Sequence, residues 1–226
     1  MELFIIDAIG PFFKGCPGRR INWSKIPFAQ LERDGLVDRA RFDEIRRDFE
    51  SFCRTVAGKG FNAITLDDVA HLVDSPVYHE ALRKRIAAYQ AEYRALFAMA
   101  RSHGLQIFVT TDVMFFNPDL DAHLGDSEDR MLAFLQDGLA RLFRDFPDVA
   151  GVICRIGETD GHDVVGDFQS RLVIRTSRQM RGMIERLLGV CERYGRLLIV
   201  RTWSVGAFGV GDLMWNRDTF ERVFGG

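Results

Sequence analysis

The segment RIGETDG, residues 155–161, is the part of the sequence best suited to acid–base chemistry. It directly follows an apolar run that ends at Cys154, so Arg155 and Glu158 are expected at the mouth of a buried core. A carboxylate in that position can have its pKa raised by partial burial and act as a general acid, or it can stay ionised beside the guanidinium. The alternative interpretation of Glu158 is a salt-bridged or helix-capping loop acid.

Polar side chains also stand at the ends of the other apolar runs. The charged candidates for substrate binding are Asp67, Asp112, Arg155, Asp160 and Arg201. Asp7 and Asp68 occupy similar strand-end positions. Charged groups that follow several strands are typical of the active-site face of a (β/α)8 barrel, although they also occur in doubly wound sheets.

Aromatic side chains fall in the same segments, just after the apolar runs. They are Phe12, Phe13, Trp23, Phe115, Phe116, Trp203 and Trp215. Flat apolar rings beside carboxylates and a guanidinium suit a carbohydrate, whose C–H faces pack on aromatic rings while its hydroxyls need polar partners. Trp23 and Trp203 are therefore candidate stacking residues, whereas the phenylalanines are expected to anchor their loops to the body of the protein.

A unit of strand, loop and helix that recurs about five times must position these residues. The predicted strands are residues 3–8, 62–67, 105–112, 149–158 and 196–203. Apolar residues at helical spacing predict helices that end near Gly58, Gly104, Pro147 and Gly195, and a fifth helix that begins near Asn216. Ser127 is the predicted N-cap of the third helix. Strands that alternate with such helices indicate a parallel sheet with right-handed crossovers.

Two parallel α/β architectures fit this pattern. A doubly wound nucleotide-binding fold usually carries a glycine-rich turn after its first strand, but residues 10–15 (GPFFKG) match neither GxGxxG nor the P-loop pattern. A parallel (β/α) barrel instead predicts functional polar residues at the carboxyl ends of several strands, and such residues are found here. The sequence therefore favours a partial TIM barrel of about five βα units.

Several segments carry a family resemblance: TLDD at 65–68, TTD at 110–112, FPDVAGV at 146–152 running into RIGE at 155–158, and RTW at 201–203. They resemble the first five strands of a glycoside hydrolase (β/α)8 barrel, most closely the α-glucuronidases of family 67. In such barrels a Glu just after the fourth strand is commonly the acid that protonates the leaving glycosidic oxygen, and Glu158 matches that position. The resemblance implies a glycosidase that binds a saccharide substrate.

Glycoside hydrolysis by the usual route needs a second carboxylate, roughly 5 to 5.5 Å from the first for retention and roughly 6.5 to 9.5 Å for inversion. In barrels of this kind it commonly comes from a later strand, so it is expected beyond the present sequence, with Asp67, Asp112 or Asp160 as substitutes. A non-catalytic sugar-binding or pseudo-enzyme module on the same scaffold is the alternative. A phosphate-binding α/β enzyme that uses the loop GAFGVG at 206–211 is a third possibility.

The length of the chain bears on its domain organisation. Five βα units account for all 226 residues, and a closed (β/α)8 barrel would need about three more βα units. We therefore expect residues 1–226 to form a single (β/α) barrel domain that is truncated at its C-terminus. Its first and last strands would present unpaired edges through which chains could self-associate.

The composition of the chain indicates which classes of partner and cofactor to expect. With 30 basic and 32 acidic residues, the formal charge of −2 gives no reason to expect nucleic-acid or membrane binding. No apolar run resembles a membrane span or a signal peptide, and the four cysteines are far apart, so a cytoplasmic protein with reduced thiols is expected. No cofactor or metal is expected; the acidic residues Glu158, Asp160, Asp163 and Asp167 are predicted to form a solvated loop.

Overall fold

The computed structural model describes residues 2–14, 25–156, 166–171, 173–202, 213 and 215–225. Within them, five strands form one parallel sheet: β1 (Ile5–Asp7), β2 (Ala63–Leu66), β3 (Gln106–Asp112), β4 (Val149–Arg155) and β5 (Leu197–Arg201). The sheet is curled into a half-barrel with flanking helices. The predicted partial (β/α) barrel is therefore confirmed.

The strand order separates the barrel from the doubly wound alternative. A doubly wound sheet reverses its strand order at a switch point, and its ligand binds there. Here consecutive strands of the sheet pair in parallel, in the order β1-β2-β3-β4-β5, with no reversal among the described strands. The connections therefore repeat one βα crossover, as in a (β/α)8 barrel.

An amphipathic helix follows each strand of the sheet. They are α1 (Arg39–Gly58), α2 (Glu80–Ser102), α3 (Glu128–Asp145), α4 (Ser177–Arg193) and α5 (Arg217–Phe224). The predicted N-cap Ser127 is confirmed, since it accepts a backbone N–H at the start of α3. The fifth helix begins where it was predicted, and Asn216 accepts a backbone N–H at its start. Gly104, just after α2, has a φ of 74°, which favours glycine.

Short elements fill the connections. They are helix Gly10–Phe13, the 3-10 turn Phe28–Gln30, the strand pair Glu32–Arg33 and Leu36–Val37, helix Val69–Leu72, strand Phe115–Phe116 paired with Gln169–Ser170, and helix Pro118–Leu124. Phe115 and Phe116 are both buried, in agreement with their predicted anchoring role. The turn after β1 forms a short helix rather than a phosphate-binding loop.

Alternate residues of each strand face two different cores. The main core lies between the sheet and the helices and takes in Ile64, Ile107, Val109 and Val152. A smaller apolar cluster lies on the other, concave face and is built from Ala63, Phe108 and Ile153. Toward the carboxyl ends of the strands, the concave face becomes polar at Asp67, Thr110, Asp112 and Arg155.

The described sheet is open at β1 and β5, each of which pairs with one strand there. Leu197 in β5 is 52% exposed. The strands β4 and β5 are shorter than predicted and end at Arg155 and Arg201. Glu158 and Trp203 follow these strands in the sequence and lie outside the described residues. Among the described helices, none has the length and apolarity that a bilayer span requires.

Gly151 lies where β4 and β5 come too close for a side chain. A Cβ atom at this position would overlap the carbonyl oxygen of Leu197 and would stand 2.9 Å from Phe108 Cε1. We expect Gly151→Ala to lower the free energy of unfolding by about 1 to 3 kcal/mol, as overpacking does in other cores. Denaturant titration followed by circular dichroism measures this change.

Gly189→Ala is the matched control. Gly189 lies inside α4, and a Cβ atom there meets open space. Alanine should therefore raise the free energy of unfolding by up to about 1 kcal/mol, because it has the higher helix propensity. Unchanged stability of Gly151→Ala would contradict the close approach of the β4 and β5 backbones.

Candidate functional site

Arg155, the last residue of β4, is the centre of a buried ion-pair network at the carboxyl ends of the strands. Its side chain is 1% exposed. Nη1 donates to Asp67 Oδ1 at 2.9 Å, and Nε donates to Asp112 Oδ1 at 3.0 Å. A guanidinium buried this deeply needs such partners, because an unpaired buried charge costs several kcal/mol. Since Asp67 follows β2 and Asp112 ends β3, the network ties three neighbouring strands together.

Asp67 is held from several other sides. Its Oδ2 accepts the backbone N–H of Ile26 at 2.7 Å, and Thr110 donates its hydroxyl to Oδ1. The backbone carbonyl of Asp67 accepts the hydroxyl of Tyr93, on α2, at 2.6 Å. Burial raises the pKa of the Asp67 carboxyl, and the Arg155 guanidinium opposes that rise. Asp67 thus fixes the chain after β1 against the end of β2.

A second ion pair joins two loops across the strand ends. Lys25, between β1 and α1, donates from Nζ to Asp112 Oδ2 at 2.5 Å and to Ser170 Oγ at 2.8 Å. Ser170, between β4 and α4, donates its hydroxyl to the same carboxylate oxygen. The side chains of Lys25 and Asp112 are 7% and 6% exposed, so these bonds are shielded from water. Asp112 therefore binds Arg155 through one oxygen and both loops through the other.

The loop segment 166–171 is anchored over the strand ends by further contacts. Arg85, on α2, donates from Nε to Asp167 Oδ2 at 2.7 Å and from Nη2 to Asp167 Oδ1. Phe168 is buried, and its ring packs edge-on against Phe115 at 5.5 Å between centroids. Asp167 is thus ion-paired, and the prediction of a solvated acidic loop is wrong for this residue because a guanidinium on α2 reaches it.

A small cavity of about 20 Å³ lies beneath these loops. Its walls include Lys25, His71, Thr111, Asp112, Phe168 and Ser170. His71 stacks on Phe28 with ring centroids 3.5 Å apart, and its Nδ1 lies 2.7 Å from Asp68 Oδ1. Burial alone would raise the pKa of Asp68, but its bonds to His71 lower it. A cavity of this size has room for about one water and not for a sugar ring.

Asp7 and Arg201 lie at the exposed part of the concave face. Asp7 ends β1, and Arg201 ends β5 in register with Arg155. Surrounding protein atoms displace water from Asp7 and, together with the nearby Asp67 carboxylate, raise its pKa to about 6. The backbone N–H of Ile9, 3.3 Å from Asp7 Oδ1, and the two guanidiniums oppose this rise. Asp7 therefore changes charge closer to neutral pH than an ordinary aspartate.

The structure brings three of the predicted substrate-binding residues into direct contact, namely Asp67, Asp112 and Arg155. Their charged atoms are engaged with one another, so here they hold the strand ends together, and contact with a substrate stays a prediction. Arg201 lies on the neighbouring strand. The other predicted site residues lie outside the described residues; they are Glu158, Asp160, Trp23 and Trp203.

Sequence reasoning missed Lys25, Thr110 and Ser170 as members of the network. Lys25 is 87 residues from Asp112 and Ser170 is 58 residues from it, so no local spacing could reveal their contacts. The sequence did indicate Asp7, because it lies at the end of a predicted strand. Within the described ranges, no group of three or more His, Cys, Asp or Glu side chains could hold a metal ion.

Comparisons with known proteins support the fold. No family model matches the chain, and no curated protein matches it either. Among solved structures, a family 138 glycoside hydrolase that targets the pectin rhamnogalacturonan II superposes with a TM-score of 0.52 at 14% identity, over 80% of this chain. A family 5 glycoside hydrolase from Prevotella bryantii gives a TM-score of 0.48 at 13% identity, over 98% of this chain.

The present chain spans only part of these structures. It covers 21% of the family 138 enzyme and 58% of the Prevotella bryantii enzyme. A family 5 xyloglucanase from Paenibacillus pabuli is covered over 44% of its length, with a TM-score of 0.44. At these identities, the likeness to the family 138 enzyme establishes a shared fold, and the activity of the present chain has to be argued from its own residues.

We expect Arg155→Met to destabilise the fold strongly. The variant keeps much of the side-chain volume but leaves Asp67 buried without its cation and Asp112 with Lys25 alone. The free energy of unfolding at neutral pH should fall by about 3 to 5 kcal/mol, the usual cost of breaking a buried ion pair from one side. Denaturant titration of the variant beside the wild type measures this loss.

Arg186→Met provides the control for loss of a surface ion pair. Arg186 contacts Asp129 at 2.7 Å, but the two side chains are 40% and 84% exposed. Its removal should change stability by less than about 1 kcal/mol. If Arg155→Met and Arg186→Met lowered the free energy of unfolding by the same small amount, the Arg155 network would not stabilise the fold.

We expect Asp7→Asn to make the protein more stable at neutral pH. Because the folded-state pKa of Asp7 is raised to about 6, ionisation of this group disfavours the fold, and stability is lost as pH rises from the ordinary value of 3.8 through that pKa. Asparagine removes this loss, so the variant should gain up to about 1 kcal/mol at neutral pH after allowance for solvent screening.

The measurement for Asp7 is the difference in free energy of unfolding between variant and wild type across the acid-to-neutral range. A difference that grows with pH agrees with a raised pKa. A difference that shrinks as pH rises would mean that the pKa is lowered instead, with the arginines outweighing desolvation.

Proposed function

We propose that residues 1–226 supply five βα units of one carbohydrate-active (β/α)8 domain that cleaves a glycosidic bond. The observation that carries the proposal is the Asp67–Arg155–Asp112 network at the carboxyl ends of β2, β3 and β4. Barrel enzymes build their active sites at this end of the strands. A rigid, buried polar network there, directly before the segment that contains Glu158, supports a working site at this end of the half-barrel.

Glu158 is the proposed general acid or acid/base. It follows Arg155 by three residues, and Arg155 is fixed by two carboxylates. In the proposed reaction, Glu158 gives its proton to the leaving glycosidic oxygen while the bond from that oxygen to the anomeric carbon breaks. The anomeric carbon then bonds to a water oxygen, directly or after a covalent intermediate. The proton that this water loses passes to the second carboxylate in the direct route, or to Glu158 in the two-step route. The closer likeness to family 67 α-glucuronidases is part of this proposal.

A second carboxylate is required, and Asp67 and Asp112 are poor candidates for it. Both are buried, and their oxygens accept hydrogen bonds from Arg155, Lys25 and the Ile26 backbone. A carboxylate committed to such partners has little freedom to attack carbon or to deprotonate water. We therefore propose that the second carboxylate lies elsewhere in the active protein, with Arg201, Asp160, Trp23 and Trp203 contributing to saccharide binding.

A non-catalytic sugar-binding module is the second candidate function. It is favoured by the same observation, namely that the buried carboxylates Asp67 and Asp112 are engaged with cations. Turnover of a bound oligosaccharide distinguishes the two functions. Oligosaccharide binding without turnover by the longest natural protein that contains this chain would favour the module, whereas turnover supports the glycosidase.

We expect Glu158→Gln to lower the turnover of an unactivated oligosaccharide by about 10²- to 10⁴-fold, the usual contribution of a general acid. The loss should be much smaller for an aryl glycoside with an acidic phenol as leaving group, because such a group departs without protonation. Steady-state assays with both substrate types, on the longest natural protein that contains this chain, measure this contrast.

Glu185→Gln is the matched control, because Glu185 lies on the exposed side of α4. It should leave turnover of both substrates unchanged. Undiminished oligosaccharide turnover by a normally folded Glu158→Gln protein would remove Glu158 from the reaction.

A further inference from the structure

Asp7 is more exposed to solvent than the other described carboxylates at the strand ends. It ends β1, pairs in register with Thr65 of β2, and faces the same side of the sheet as Ile5, which packs on the concave-face cluster. Its side chain is exposed, whereas those of Asp67 and Asp112 are 3% and 6% exposed. A ligand on the concave face can therefore reach Asp7 without breaking the Arg155 network.

The charged groups that act electrostatically on the Asp7 carboxyl come from three other strands. They are Asp67 after β2, Arg155 at the end of β4 and Arg201 at the end of β5. Arg155 is already shared between Asp67 and Asp112, and the one backbone donor described on Asp7 is the N–H of Ile9, at 3.3 Å from Oδ1. An exposed carboxylate with one long internal hydrogen bond keeps acceptor positions on both oxygens for the hydroxyl donors of a ligand.

We propose that Asp7 contacts the saccharide directly and accepts hydrogen bonds from a pair of neighbouring sugar hydroxyls. The inference rests on the proposed function and extends it with a binding contact on β1. A carboxylate is a pure acceptor with two oxygens, so it matches two adjacent hydroxyls and repels a sugar carboxylate. Asp7 would thus select a neutral, hydroxyl-bearing ring at its own position.

The charge of Asp7 gives the contact a pH signature. The raised pKa of about 6 places its ionisation within the range in which the protein can be studied. Ionised Asp7 accepts stronger hydrogen bonds than the protonated form, so binding of a neutral saccharide should strengthen as pH rises through that value. A saccharide whose carboxylate faced Asp7 would show the opposite dependence.

The experiment uses the longest natural protein that contains this chain, screened against an array of neutral and acidic oligosaccharides. The neutral oligosaccharide that binds best is then titrated by calorimetry. Wild-type affinity should rise several-fold from about pH 5 to about pH 7.5. Asp7→Asn should weaken binding about tenfold at the upper pH and abolish the pH dependence. Asp145→Asn, at the exposed end of α3 on the opposite side of the sheet, should behave as wild type.

The possible failures are distinguishable. A wild-type protein that binds no saccharide contradicts the proposed function, and the Asp7 contact with it. Saccharide binding that is equally tight in wild type and Asp7→Asn, with the same pH dependence, overturns the Asp7 contact and leaves the proposed function standing. Thermal unfolding of each variant establishes that the compared proteins are folded at both pH values.

Discussion

The buried guanidinium of Arg155 joins the carboxyl ends of β2, β3 and β4. A charge that is 1% exposed must be neutralised within the protein, and two carboxylates from neighbouring strands do so. Those carboxylates in turn bind Lys25, Ser170, Thr110 and the Ile26 backbone. One buried cation therefore sets the relative positions of β2, β3 and β4 and of the chain segments after β1 and β4.

This arrangement divides the polar residues of the concave face into two groups. The buried group, centred on Arg155, is held by internal ion pairs and hydrogen bonds and ties neighbouring strands together. The exposed group, Asp7 and Arg201, lies at the two outer strands of the curled sheet. Binding groups held on a rigid support lose little conformational entropy when a ligand arrives, which is how barrel scaffolds combine stability with adaptable sites.

Local patterns predicted the elements well, because apolar periodicity and helix caps act over a few residues. Ser127 and Asn216 cap the helices that they were predicted to begin, and the five strands occur in the expected order. The partners of each charged residue could not be predicted in this way. Lys25 and Asp112 are separated by 87 residues, and only the curl of the sheet brings them together. The sequence predicted that Asp112 and Arg155 lie at the same end of the barrel strands, but it could not show that the two side chains form an ion pair.

We propose that saccharides bind on the concave face above the Arg155 network. A crystal structure of the protein with a bound oligosaccharide tests it most directly. We expect sugar density at the carboxyl ends of the strands, with sugar hydroxyls in hydrogen-bond contact with Asp7 and with the Asp67–Arg155–Asp112 bonds intact beneath. Sugar density at the amino ends of the strands, or a sugar that replaces these internal ion pairs, would contradict it.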